Sequence, residues 1–136
     1  MEVFFYGLFM DKEELIKRGV SPTNPRIGFL DNYTIKIGNK SSLVKAKGEK
    51  AYGVVMSLKK EEVIKLYKDK HVSDYFPEDV IINTESDKQL QACCYFLDPK
   101  YLIGSNDNYT NDLISLAIRL NLPVDYIKII IDQLSN

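Results

Sequence analysis

The chain has 136 residues, 45% hydrophobic and 27% charged, with 18 basic against 19 acidic residues and a formal net charge of −1. That length predicts one domain over residues 1–136 with room for a sizeable core. The charge balance argues against nucleic acid and against an anionic membrane surface as partners. No apolar run approaches the length of a membrane span, and a start with acidic Glu2 and no basic stretch does not read as a secretion signal. The expectation is a soluble, cytoplasmic chain.

Residues 2–6 form an apolar run that predicts a buried strand, and Gly7 follows it. Glycine is open to backbone angles closed to other residues, so a sharp turn is expected there. The amides near Leu8 and Phe9 would then be unpaired and aimed outward, a junction suited to a carboxylate or a developing oxyanion. Asp11 with Glu14 three residues on predicts a capping box and a short helix through about Arg18. Residues 19–25, with a glycine and two prolines, read as a loop. Arg26 to Gly38 is rich in strand formers, with a bend or bulge at Asp31-Asn32.

Ser41 to Lys45 reads as a short strand, Lys45 to Lys50 as an exposed turn, and Ala51 to Leu58 as a central strand. Lys60-Glu61-Glu62, followed by Val63, Ile64, Leu66 and Tyr67, predicts an amphipathic helix with acidic residues in its first turns, ending near residues 68–70. Residues 71–77 are irregular. Asp79 to Asn83 and Gln89 to Leu97 predict a hairpin across residues 84–88, followed by a polar loop over 98–108. From Tyr109, the residues Leu113, Leu116, Ala117 and Leu120 share one helical face. Leu122-Pro123 breaks that helix, and Val124 to Leu134 forms an apolar second one. Strands with inserted helices and a helical end predict an α+β fold rather than a doubly wound sheet.

The two cysteines, Cys93 and Cys94, are adjacent, and in a strand they point to opposite faces, so a disulfide between them is not expected. With His71 the only histidine, the spacing of a metal site is missing. Neither a metal nor another cofactor is expected, and two free thiols fit a reducing compartment.

These segments in order resemble the γ-glutamylcyclotransferase-like superfamily. The carriers are Tyr6-Gly7-Leu8-Phe9-Met10, Leu43-Val44 with Tyr52-Gly53-Val54-Val55, Ser57-Leu58 into a helix, Cys94-Tyr95-Phe96-Leu97, and Asn108-Tyr109 through Leu122-Pro123-Val124-Asp125-Tyr126. The resemblance implies a small mixed β-barrel with peripheral helices. It also implies a small-molecule carboxylate or γ-glutamyl ligand, held by Tyr6, Gly7, Leu8, Phe9, Tyr75 and Tyr95. In active relatives the substrate α-amine attacks the γ-carbonyl, closes 5-oxoproline and expels an amine or amino acid, a transferase-type cyclisation. That step needs a buried acid with a raised pKa to relay the proton.

The resemblance places that acid, a glutamate, at Lys70. Asp69, one carbon shorter, is the candidate replacement, and Asp74 a poorer one. The competing reading of Lys68, Asp69, Lys70 and Asp74 is a solvated helix end. Three function classes follow: a cyclotransferase with a displaced acid, a non-catalytic binding module, and an interaction domain or homodimer built on Ile127, Ile129, Ile130 and Ile131. A lysine at position 70 that points to solvent favours binding over chemistry.

Overall fold

The computed structural model describes residues 1–86 and 88–135. Five strands are described: β1 (Glu2–Phe5), β2 (Thr23–Ile37), β3 (Ser41–Ser57), β4 (Phe76–Thr84) and β5 (Gln89–Phe96). Four α-helices accompany them: α1 (Lys12–Lys17), α2 (Lys60–Leu66), α3 (Asp107–Arg119) and α4 (Val124–Ile131). Single 3-10 turns lie at Leu8–Met10 and Pro99–Tyr101. The strands close a barrel in the order β1-β3-β2-β4-β5. The β1–β5 pairing, Val3 opposite Cys93 and Phe4 opposite Cys94, is parallel. The other pairings are antiparallel. The fold is therefore the expected α+β, a small mixed barrel with peripheral helices.

Closure explains why β1 is a continuous apolar run instead of an alternating one. It is flanked by β3 and β5, and Val3, Phe4 and Phe5 are all buried. A strand covered on both faces has no position that favours a polar side chain.

The largest departure from the sequence reading is β3, one strand of 17 residues. The stretch 45–50, expected as an exposed turn, is exposed but lies within this strand, and its two ends pair with β2. Asp31 opposes Lys50 and Tyr33 opposes Lys45, with the register shifting between Asp31 and Tyr33. The bulge anticipated at Asp31-Asn32 is what accommodates the polar stretch. Asn32 takes φ +65 and its side-chain oxygen accepts from the Gly48 amide at 3.0 Å, while Gly48 itself sits at φ +83. Two left-handed residues facing each other let the ladder resume with its twist increased. β2 also starts earlier than expected, at Thr23, with Asn24 at φ +54.

The expected capping box at Asp11 is a simpler cap. The Asp11 side chain accepts from the Glu13 amide, whereas Glu14 bonds to Arg18. At α2, Glu62 accepts from the Lys59 amide at 3.1 Å and from the Ser21 amide at 2.8 Å, which ties the chain after α1 to the start of α2. The α3–α4 break falls at Leu122-Pro123 as expected. Asn121 takes the left-handed conformation (φ +57) that ends many helices, and the Leu122 amide returns to the Ala117 carbonyl. Of the α4 isoleucines, Ile130 is fully buried, Ile127 and Ile129 are half-buried against the core, and Ile131 is exposed. Among the described residues, no helix is long and apolar enough to cross a membrane.

Both cysteines are free and buried in β5. Burial is the first cause raising both thiol pKa values, and Asp79 opposite Cys93 adds to it there. Thiolate is the reactive form. Alkylation of Cys94 in the native protein should therefore run at least about a hundredfold slower than in urea, because it waits for an opening of the barrel. Timed peptide mapping checks this, and comparable native and denatured rates would show the barrel opening freely around β5.

Candidate functional site

One cavity of about 350 Å³ lies where β1 runs into the Gly7 turn, within the size range of small-molecule sites. Four chain segments meet at it: residues 4–9, Arg18 at the end of α1, the β2–β3 turn at Asn39–Ser41, and the segment from Tyr67 to Tyr75 after α2. Tyr109, in the first turn of α3, supplies the remaining wall.

Gly7 has φ −110 and ψ −148, so the expected special dihedral is not what demands glycine there. Close approach demands it. An ideal Cβ on Gly7 would stand 2.5 Å from the Tyr109 hydroxyl and 3.6 Å from Ser41 Oγ. The turn then winds into the 3-10 helix Leu8–Met10, whose first internal bond runs from the Met10 amide to the Gly7 carbonyl. Among the described residues the Leu8 and Phe9 amides have no carbonyl partner, as the opening N–H groups of a helix must. The Leu8 amide faces the Tyr109 oxygen and favours its charged form.

Ser41 organises the polar side. Its carbonyl accepts from the Tyr75 hydroxyl at 2.5 Å, and its Oγ shares a 2.7 Å hydrogen bond with the Tyr109 hydroxyl. Asn106 fixes the angle of α3. Its side-chain oxygen accepts from the Tyr109 amide, and its amide group donates to the Asn39 carbonyl in the β2–β3 turn. The Tyr6 hydroxyl donates to the Tyr95 carbonyl at 2.6 Å, bridging the parallel strands below the cavity.

The opposite wall is aromatic. Tyr67 stacks on Tyr95 at 3.6 Å between centroids and 4° between planes, and Phe9 meets Tyr67 edge-on at 6.1 Å. Burial raises the phenol pKa values of Tyr6, Tyr67, Tyr75 and Tyr109. At neutral pH these four therefore donate or accept hydrogen bonds as neutral phenols and do not serve as bases.

Of the residues expected at the site, Tyr6, Gly7, Leu8, Phe9 and Tyr75 line the cavity. Tyr95 does not. Its ring lies behind Tyr67 and its carbonyl serves Tyr6. Asp69 and Lys70 are also off the lining. The chain leaves α2 at Leu66 and turns twice, with Val72 N–H to Asp69 C=O and Tyr75 N–H to Val72 C=O. The exposed residues Lys68, Asp69 and Lys70 fall on the outer side of those turns. The Asp69 carboxylate accepts from the His71 amide at 2.9 Å and stands 4.0 Å from Arg18 Nη1. The His71 amide is the first cause holding its carboxyl below the ordinary range, the reverse of what a relay acid needs.

Sequence reasoning missed Tyr67, Tyr109, Ser41, Arg18 and Lys40 as lining residues. The helical spacing of Tyr67 from Val63 was a usable signal for the first. The others depend on which turns meet. His71, expected in a polar exposed loop, is exposed yet reaches the lining. Among the described residues no carboxylate lines the cavity and no three metal-ligating side chains cluster.

The profile of the family described as "Gamma-glutamyl cyclotransferase, AIG2-like" matches residues 3–113. The chain belongs to that family. Solved structures similar to it include a gamma-glutamyl cyclotransferase at 17% identity and a TM-score of 0.80, over 100% of this chain and 89% of that one. An uncharacterized protein, loc79017, from Homo sapiens matches at 17% and 0.75, over 99% and 88%. A gamma-glutamyl cyclotransferase specific to glutathione, from yeast, matches at 12% and 0.66, over 98% and 94%. At these identities the likeness is one of fold. Direct sequence comparison with curated proteins gives no match. In this member of the family the cavity is walled by phenols, and Lys70, where the resemblance places the acid, is exposed and off the lining.

Proposed function

We propose that this protein binds a γ-glutamyl or similar small carboxylate ligand in the Gly7 cavity and does not cyclise it through a carboxylic acid relay. One observation carries the reading: the Leu8 amide faces the Tyr109 hydroxyl and the Phe9 amide has no carbonyl partner among the described residues, beside a cavity with no carboxylate among its described lining residues. The Phe9 amide can satisfy an anion whatever the side chains of Leu8 and Phe9. Apolar Leu8 and Phe9 exclude water around that bond, which strengthens it. The exposed Lys70 supports the same reading.

The enzymatic reading keeps one specific support, His71 at the lining. An imidazole can pass a proton from an attacking to a leaving nitrogen, and cyclisation would then proceed without the usual glutamate.

A single experiment separates the two. Pure protein is incubated with a panel of γ-glutamyl dipeptides and amides, 5-oxoproline is followed by mass spectrometry, and thermal unfolding is recorded with each compound. The expected result is no 5-oxoproline above the blank, with a rise in Tm. A ligand at about a hundred times its Kd adds about 2.7 kcal/mol, on the order of 10 °C for a domain of this size. Gly7→Ala, whose methyl would displace the Tyr109 hydroxyl, should abolish the rise. Release that stops in His71→Ala would replace the binding reading by imidazole-relayed turnover. Release that stops in Asp69→Ala would restore the displaced acid. Neither release nor stabilisation would remove the ligand class.

A further inference from the structure

The seam between β2 and β4 is short. The two strands pair only at Gly28–Thr84 and Phe29–Asn83 and then diverge. Three aromatic rings from three strands meet beyond that point. Phe76 of β4 opposes Phe96 of β5 with the ring centroids 6.3 Å apart, and Tyr33 of β2 lies 5.6 Å from Phe96. Phe96 is buried, whereas Phe76 is 41% exposed and Tyr33 half-buried.

One charge stands on either side of these rings. Glu78, two residues after Phe76, faces the same way as Phe76 because side chains alternate along a strand. Burial and then the Glu78 charge raise the Tyr33 phenol pKa, which puts the carboxylate near that ring. On the other side, Lys45 of β3 is the register partner of Tyr33, so the two side chains share a face. Lys45 and Glu78 are both exposed, and among the described residues neither takes part in an ion pair. An exposed aromatic centre with opposite, unpaired charges on its two sides is complementary to itself. A half-turn about the centre carries the lysine onto the position of the glutamate.

We propose that a second copy of this chain docks on this face about a two-fold axis, with Lys45 of each copy against Glu78 of the other and Phe76 and Tyr33 packed between them. Aromatic side chains at the centre and charges at the rim are the usual distribution in a specific interface. The contact is made by side chains and not by strand pairing. Among the described residues the β4 edge before Asn83 has no strand on its β2 side. Yet Pro77 offers no amide there, and pairing the middle of β4 with its own copy would set Glu78 and Asp79 against like charges. Nor is this the α4 face expected from the isoleucine run, where Ile130 is fully buried and Ile127 and Ile129 are half-buried against the core. None of Tyr33, Lys45, Phe76 and Glu78 lines the Gly7 cavity, so the inference stands apart from the ligand reading.

Sedimentation velocity of the full chain over a concentration series should show a reversible dimer that weakens as salt is added. Glu78→Lys and Lys45→Glu should each raise the dimer Kd at least about tenfold, because each reversal meets a like charge twice in a two-fold contact. Mixing the two single variants should restore a dimer of near wild-type affinity, since the lysines of one then face the glutamates of the other. A role of either residue within its own chain would not produce that recovery. A wild-type chain that stays monomeric up to its highest soluble concentration would overturn the inference. So would a dimer indifferent to both reversals, which would put the interface on another face, and so would a mixture no tighter than either variant alone.

Discussion

Gly53→Ala should destabilise the protein by roughly 3 kcal/mol, more than most single substitutions. Gly53 lies in the middle of β3, opposite Gly28 of β2 and beside the end of β1. A Cβ there would fall 2.3 Å from the Phe5 carbonyl oxygen and 2.7 Å from the ring edge of Phe4. The first of these neighbours is backbone held in the β1–β3 ladder, and the second is a fully buried ring. Neither yields without opening a hydrogen-bonded pair or displacing the core. The damage should also reach the cavity, because Phe5 stands two residues before Gly7. Urea denaturation checks the prediction, with a lower midpoint at unchanged slope as the expected result. A loss under about 1 kcal/mol would show that β1 can slide off β3, and that the barrel is less tightly closed than its buried β1 implies.

Alkali should unfold the protein cooperatively within about one pH unit above the ordinary tyrosine pKa. Five phenols, those of Tyr6, Tyr67, Tyr75, Tyr109 and Tyr126, are raised above the ordinary value of 10, with burial the first cause for each. For Tyr126 the Tyr52 backbone pulls the other way, and burial outweighs it. A group whose folded pKa is raised keeps its full contribution below the unfolded pKa and loses it as pH rises toward the folded one. Above pH 10 the unfolded chain releases these protons and the folded chain keeps them, so stability falls with pH. Each group costs about 1.4 kcal/mol per pH unit, and five together roughly 7 kcal/mol, comparable to the whole stability of a small domain. The two buried thiols start the decline slightly earlier, since both are raised from 9. Phenolate absorbance and circular dichroism should change in one step. A gradual rise in phenolate with the dichroism intact would show that the tyrosines reach solvent in the folded state.

Local signals in the sequence located most of the elements. The apolar run at residues 2–6, the acidic first turn before Val63, and the Leu122-Pro123 break each report a neighbourhood of a few residues, and each appears where the pattern put it. The 3-10 turn after Gly7 was legible for the same reason, because a strand running through glycine into a helical turn leaves its opening amides without carbonyl partners.

What tertiary structure alone decided is what meets what. Tyr6 and Tyr95 are 89 residues apart, and Ser41 and Tyr109 are 68 apart. Their hydrogen bonds exist because the barrel closes β1 against β5 and because Asn106 ties α3 to the β2–β3 turn. Spacing along the chain carries no trace of either. The polar stretch 45–50 looked like a turn because its composition is that of one; only the facing bulge at Asn32 made it strand. Gly7 was identified correctly as a glycine that matters, but the cause is a phenol arriving from another element. Position 69 was ambiguous because a helix end presents both an inner and an outer side within three residues. Two successive turns after Leu66 put the carboxylate outside and left the phenols of Tyr67 and Tyr75 facing the cavity.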